Sequence, residues 1–394
     1  MPVWHAIGIM SGTSADGVDC ALLRLEEQGI VLLHHHATPY PHDLRQAVLA
    51  LNQPATDEIN AMGRCARRLG HVYAAAAREL IERSGMAAAE IDLIGCHGQT
   101  IRHQPDGPAG FTLQIGWADV LAEETGITTV ADFRPRDVVA GGQGAPLVPP
   151  FHQALFQGAQ PRIILNLGGM ANLTWLPGHG DGRPPVAFDT GPGNVLMDAL
   201  ARRLSQGQLQ YDKDGAIARQ GQVHAPALRE WLEMPYFQAP PPKSTGRELF
   251  DEAFLERPWA NRPGSGPDLM ATLMALTAES VALAVRRWTL GAEDMLVFGG
   301  GAENPALMAA LQKAMPEVKI QKGDTVSGIP SQALEAMAFA WLGLHTLQGL
   351  PGNLPSATGA RHAVPLGVIH PGANWREVIR RVLSTEIGAA GRSR

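Results

Sequence analysis

"IGIMSGTSADGVDCALLRL", residues 7–25, sets two apolar runs on either side of a tight, hydroxyl-rich turn that ends in acids. The alternation predicts paired strands over 3–11 and 17–25. No Gly-Lys-Ser/Thr closes the string, so it is not a Walker A loop. A turn that holds a ligand and an ordinary hairpin turn are both open here, because Ser, Asp and Gly are the common turn residues. A third strand, "IVLLHHHATP", follows Gly29.

The pattern then restarts. "RIILNLGGMANLTWL" is again strand, Gly-rich turn, strand; "PVAFDTGPGN" is a third strand, and "VLMDALARRL" continues as a helix. Strand–turn–strand–strand–helix therefore occurs twice, which predicts an internally duplicated α/β architecture. Two related domains are expected, 1–158 and 159–394, the second with a Pro-rich polar insertion near 205–268. The long Gly/Pro stretch "RPRDVVAGGQGAPLVPP", after the buried strand "TTVADF", reads as a loop and marks the boundary. Helices are expected over 43–86, 116–126, 269–290, 331–347 and 375–383. "IDLIGCHGQT" reads as a short buried strand running into a polar loop.

Composition narrows the function. The 394 residues, 45% of them hydrophobic, suffice for substantial cores. A net charge of -6 with no basic stripe argues against nucleic acid as a partner. Three cysteines without metal-ligand spacing argue against a disulfide framework and for a reducing cytoplasm. "MPVWHAIGIM" reads as a first strand rather than a signal peptide. No run approaches the roughly 20 apolar residues that span a bilayer, so no membrane contact is expected.

The first turn offers backbone N–H groups and the Ser11, Thr13 and Ser14 hydroxyls to a phosphate. Gly8, Gly12 and Gly17 are expected to allow close approach and positive φ. Asp16 and Asp19 are wrong for phosphate alone and right for a bridging divalent cation such as Mg²⁺. In the second turn, Asn166, Gly168, Gly169 and Asn172 would form the opposite jaw of a phosphate clamp. Two such hairpins facing one cleft make a nucleotide-binding layout. Gly299, Gly300 and Gly301 let adenine or ribose lie against backbone, although the spacing is not that of a Rossmann fingerprint. Asp189, at the end of an apolar strand, is placed to accept a proton from a nucleophile; a helix cap by Asp189 or Thr190 is the alternative. His97, Gln99 and Thr100 suit a polyhydroxylated ligand, or belong to a polar loop. Arg134 can grip a carboxylate or phosphate with two parallel bonds. Glu335 either faces the ligand or satisfies its helix N-terminus. His34–His36, with no acids nearby, read as strand and edge residues rather than a metal site.

"GIMSGTSADGVD", "HGQT", "ADFRPRDVVAGGQGAPLVP", "LNLGGMANLT", "FDTGPGN" and "FGGGAENPALM" occur in this order. Together they resemble the anhydro-N-acetylmuramic acid kinase family of the actin–hexokinase–Hsp70 ATPase superfamily, from Ile7 to Leu344. The resemblance implies a duplicated two-domain actin/hexokinase-like (ribonuclease H-like) ATPase fold with an interdomain cleft, ATP and Mg²⁺ as cofactors, and a homodimer. It implies a reaction in peptidoglycan recycling and amino-sugar catabolism. The 1,6-anhydro bridge of 1,6-anhydro-N-acetylmuramic acid is opened by water and O6 is phosphorylated, giving N-acetylmuramic acid 6-phosphate and ADP. It makes Gly12, Thr13, Ser14, Ala15, Asp16, Gly17, Val18 and Asp19 the ATP-phosphate loop, with Mg²⁺ at Asp16 and Asp19. Asn166–Asn172 becomes the second phosphate loop, Gly299–Gly301 the adenosine loop, and Asp189 the general base. His97, Gln99, Thr100, Arg134 and Glu335 become sugar contacts. Another sugar kinase of the superfamily, acting on a free hydroxyl, predicts the same phosphate loops. A nucleotide-switch module akin to actin or a chaperone ATPase is a further alternative.

Overall fold

In a computed structural model of the chain, residues 2–246 and 249–390 are described. The alternating apolar residues of the opening stretch form β1 (Trp4–Ser11) and β2 (Gly17–Glu26), antiparallel with Ile7 opposite Leu22 and Met10 opposite Asp19. β3 (Gly29–Pro39) continues the meander. β4 (Leu93–Gln104) then lies parallel to β1, paired with β5 (Phe111–Ile115) as well, and β6 (Thr129–Ala131) lies parallel to β4.

The second sheet repeats this order. β7 (Arg162–Leu167), β8 (Met170–Leu176) and β9 (Val186–Pro192) form the antiparallel meander. β10 (Asp294–Phe298) runs parallel to β7, and β11 (Lys319–Lys322) parallel to β10. A last strand, β12 (Val368–His370), returns to pair antiparallel with β6. The sheets run β12-β6-β4-β1-β2-β3 and β11-β10-β7-β8-β9. The duplicated α/β architecture expected from the sequence is what the strand order shows.

The chain divides into two units, 1–151 with 332–394, and 152–331. The division falls at 151/152 rather than 158/159, and the tail belongs with the first unit rather than the second. In the first unit, Ile7, Ile9, Cys20 and Leu22 pack on Leu69, Tyr73, Ala77 and Leu80 of helix Glu58–Ser84. On the opposite face lies helix Ser331–Leu347, whose Phe339 and Leu342 join Val130, Phe133 and Leu366. The second unit centres on Ile163, Leu165, Phe188 and Val297 against Leu273, Leu276 and Val281 of helix Gly266–Trp288.

Three expectations need correcting. Residues 133–139 of the supposed Gly/Pro loop form a helix, because Pro135 sits in its first turn, where its missing N–H costs nothing. "CHGQT" lies inside β4, Gly98 taking φ 76° without ending the strand. Helix Gly266–Trp288 is long and apolar enough to cross a membrane by length and composition, but 72% of that window is buried and its residues form the second core.

Candidate active site

In the first unit, residues 12–16 bridge β1 and β2. The Ala15 N–H donates to the Gly12 carbonyl (3.1 Å), and Ala15, at φ 51°, takes the left-handed conformation expected of a glycine. Ala15 and Val18 are buried, so a ligand meets only their backbone; Gly12, Thr13 and Ser14 are exposed. Gly8 and Gly17 are demanded by packing, and neither they nor Gly12 has the expected positive φ. A Cβ on Gly8 would lie 1.7 Å from the Ala336 carbonyl oxygen, and one on Gly17 2.4 Å from that of Thr38.

The turn is braced from beneath. The Ser11 hydroxyl donates to Gln99 Oε1 (2.6 Å) and accepts from Tyr40 (2.7 Å), while Gln99 Nε2 donates to the Gly12 carbonyl (3.1 Å). Gln99 is 1% exposed. Its amide is spent on the turn, so the structure gives it a supporting place rather than an open sugar-binding one. Thr100 Oγ1 accepts from Gln114 Nε2 on β5 (3.1 Å).

His97 and Arg134 form a fixed pair. Arg134 Nε donates to His97 Nε2 (2.8 Å), which places the ring proton on Nδ1, and Nδ1 donates to the Gly98 carbonyl (2.8 Å). Burial, with the Arg134 charge beside it, pushes the His97 pKa well below its ordinary value, so the ring is neutral. Arg134 Nη1 donates to the Gly144 carbonyl (2.7 Å). Glu335, just past the first turn of helix Ser331–Leu347, is solvent-accessible yet ringed by protein. That desolvation raises its carboxyl above the ordinary value, Arg134 opposing and Asp19 adding to the shift. His97, Arg134, Glu335 and Asp19 thus belong to one electrostatic neighbourhood.

Asp16 and Asp19 are not presented together. Asp16, ahead of the strand, pairs with Arg45 (2.9 Å), whereas Asp19 lies 3.4 Å from His35. His36 in turn meets Glu79 (3.1 Å), so the histidine run does have acidic neighbours, brought from distant sequence. Among the described residues no group of three or more His, Cys, Asp or Glu is poised for a metal ion.

In the second unit, Asn166 is the register partner of Asn172, and Asn172 of Asp189. Register partners share a sheet face, so the three side chains form one row across β7, β8 and β9. The Gly168–Gly169 turn is clamped by the start of helix Val195–Leu204. Asn194 N–H donates to the Gly168 carbonyl (2.9 Å), and the Gly193 and Val195 N–H groups to that of Gly169 (2.9 and 3.1 Å). Both turn carbonyls are thereby occupied, and N–H is what the turn has left for an anion. The triple glycine packs against the same turn: a Cβ on Gly299 would lie 2.5 Å from Asn166 Oδ1, and one on Gly301 2.6 Å from Leu167 Cβ. Gly300 is exposed.

Asp189 does not cap a helix; Asn194 holds the N-cap position, and the Thr190 hydroxyl donates to the Ala171 carbonyl (3.2 Å). The Asp189 carboxylate accepts the Thr245 N–H at Oδ2 (2.9 Å). Sequence reasoning missed Gly193 and Asn194, although "FDTGPGN" contains them. A Cβ on Gly193 would lie 2.4 Å from the Gly168 carbonyl oxygen. It also missed the contact from "PPPKSTGREL", whose composition reads only as insertion.

Two sheets of one strand order, each carrying a glycine turn beside polar strand residues, define a duplicated ribonuclease H-like fold of the actin–hexokinase class. The anhydro-N-acetylmuramic acid kinase family model matches residues 4–372. Three relatives bear the name anhydro-N-acetylmuramic acid kinase. That of Acidithiobacillus ferrooxidans is 55% identical over 95% of this chain and 94% of its own. The Bordetella pertussis protein is 47% identical over 93% and 95%, and the Vibrio cholerae protein 46% identical over 92% and 97%. The chain belongs to the anhydro-N-acetylmuramic acid kinase family.

Proposed function

We propose that this protein is an ATP-dependent kinase that opens the 1,6-anhydro ring of 1,6-anhydro-N-acetylmuramic acid and phosphorylates O6. Water attacks C1, the C1–O6 bond breaks, and O6 takes the γ-phosphoryl group, leaving N-acetylmuramic acid 6-phosphate and ADP. Asp189 takes the water's proton; water is a poor nucleophile and needs a positioned base. The residues of 12–19, the Asn166–Asn172 hairpin and Gly299–Gly301 bind ATP, whose phosphoryl transfer depends mainly on alignment and charge stabilisation. Arg134 and Glu335 contact the sugar; the lactyl carboxylate gives the guanidinium a partner. His97 holds Arg134 in place, and Gln99 and Thr100 support the first turn and its sheet.

Mg²⁺ fits the first unit through Asp19, with Glu335 near enough to feel its charge: hard oxygen donors suited to a hydrated ion. When bound it neutralises phosphate charge. Asp16, engaged with Arg45, is the poorer ligand. The same reading places the protein in the cytoplasm as a homodimer, acting in peptidoglycan recycling.

The observation that carries this reading is Asp189, in line with Asn172 and Asn166 beside two glycine turns and held by a backbone N–H. The test is reaction with ATP, Mg²⁺ and the anhydro sugar in ¹⁸O-labelled water, with Asp189→Asn in parallel. Label at C1 of the phosphosugar, lost in the variant, is the expected result. ATP turnover only on sugars with a free hydroxyl, without label, would move the function to another sugar kinase.

A further inference from the structure

We infer that Tyr236, Lys243 and Thr245, in the Pro-rich insertion, form a strap that positions Asp189 for proton abstraction. This rests on Asp189 being the base. The strap holds one residue at three points. The Asp189 N–H donates to the Lys243 carbonyl (3.1 Å), the Tyr236 hydroxyl donates to the Asp189 carbonyl (2.6 Å), and the Thr245 N–H donates to Asp189 Oδ2 (2.9 Å). Lys243 closes the strap on itself: its Nζ donates to the Tyr236 carbonyl (2.9 Å) and sits 4.8 Å from the centre of the Tyr236 ring and 5.8 Å from that of Phe188. Beneath, Gly191 on β9 admits Phe237, which a Cβ there would meet at 2.7 Å. β9 is an edge strand among the described residues, and the strap supplies neighbours on its open side.

The chemistry gives the arrangement a purpose. N–H donation to a carboxylate favours its ionised form and so keeps a base ready at neutral pH. It also fixes which oxygen is turned to the strap, and alignment within about an ångström is worth as much as a hundredfold in rate. The ammonium of Lys243 is half-buried; burial, with Arg287 beside it, lowers its pKa to about 8. An ammonium kept there at that cost is anchored by aromatic faces and a carbonyl.

The test uses the full-length protein with Tyr236→Phe and Lys243→Met, which keep most of the packing volume, Lys243→Arg as the conservative change, and Asp189→Asn as reference. The strap predicts a fall in kcat of about tenfold to a hundredfold for the first two. KM for ATP should stay within about twofold. The acid limb of the kcat/KM profile should move to higher pH, because a carboxylate that loses N–H donation titrates higher. Lys243→Arg should recover most of the rate. Unchanged kcat and an unmoved acid limb in both variants, with Asp189→Asn inactive, overturn the strap and leave the proposed reaction standing. Full activity in Asp189→Asn removes the base assignment and the strap with it. If Lys243→Met does not fold, Tyr236→Phe, which loses one hydroxyl, decides.

Discussion

Arg134 illustrates how much a single side chain can be committed before any ligand arrives: one nitrogen goes to His97 and another to the Gly144 carbonyl. The Arg–Lys exchange would lose this fork, since an ammonium is a point charge. Buried histidines also set a pH dependence. His152, 5% exposed in the second unit, pairs through Nδ1 with Thr174 Oγ1 (3.0 Å), and burial pushes its pKa down to about 3. Between that value and the unfolded value near 6.5, the unfolded chain binds the proton and the folded chain does not. Stability from neutral His152 is therefore fully present above 6.5 and is lost as pH falls toward 3, at about 1.4 kcal/mol per pH unit. Thermal unfolding followed by circular dichroism should show the wild-type midpoint falling between pH 7 and pH 5, and a shallower fall for His152→Gln. Parallel curves would mean that His152 is not held neutral.

At the scale of elements, the contact that matters is between helix Ser331–Leu347 and the first sheet. Its carbonyls lie where side chains of β1 and β4 would stand: a Cβ on Gly95 would be 1.9 Å from the Phe339 oxygen. Backbone cannot swing aside as a side chain does, so Gly95→Ala should cost about 3 kcal/mol or more, at the upper end of overpacking. Gly12, whose nearest neighbour would be Ser14 Oγ at 3.9 Å, should tolerate Ala within about 0.5 kcal/mol. Urea midpoints of the two variants test the pair, and the reverse ranking would sink the packing argument. The helix was legible in the sequence from Ser331 to Leu347; its closeness to Gly8 and Gly95 was not. Gly8 was read as serving a ligand, because sequence records that a Cβ is absent but not what occupies its place. The hairpins were legible because apolar alternation is local. The four-residue β11 and three-residue β12 are too short to alternate visibly. The row Asn166–Asn172–Asp189 was visible as three candidates, and only strand register aligned them.

For the whole chain, the consequence lies in its path: out of the first unit at residue 151, through the second, and back at 332. Nothing periodic in a sequence announces such a return. The ties are single polar contacts across more than two hundred residues. Asp137 Oδ1 accepts from Asn353 Nδ2 (2.7 Å) and Thr358 Oγ1 (2.8 Å), while Oδ2 accepts the Gly144 N–H (2.7 Å). Asn374 Oδ1 likewise accepts from the Thr128 N–H (2.8 Å) and hydroxyl (2.7 Å). The tail therefore fixes the very turn whose carbonyl holds Arg134. It also supplies Phe339 and Leu342 to a core, and β12 to an edge. Residues 152–331, by contrast, contain a five-stranded sheet and a core drawn entirely from their own sequence. A unit with its own core folds alone; one that loses a covering helix exposes apolar sheet and asparagine-bonded carboxylate together. A 152–331 fragment should accordingly melt in one cooperative transition. A 1–331 fragment should keep that transition while amides of β1, β2 and β4 lose protection in hydrogen exchange. Native-like protection of those strands without residues 332–394 would show that the first unit does not need its returning tail.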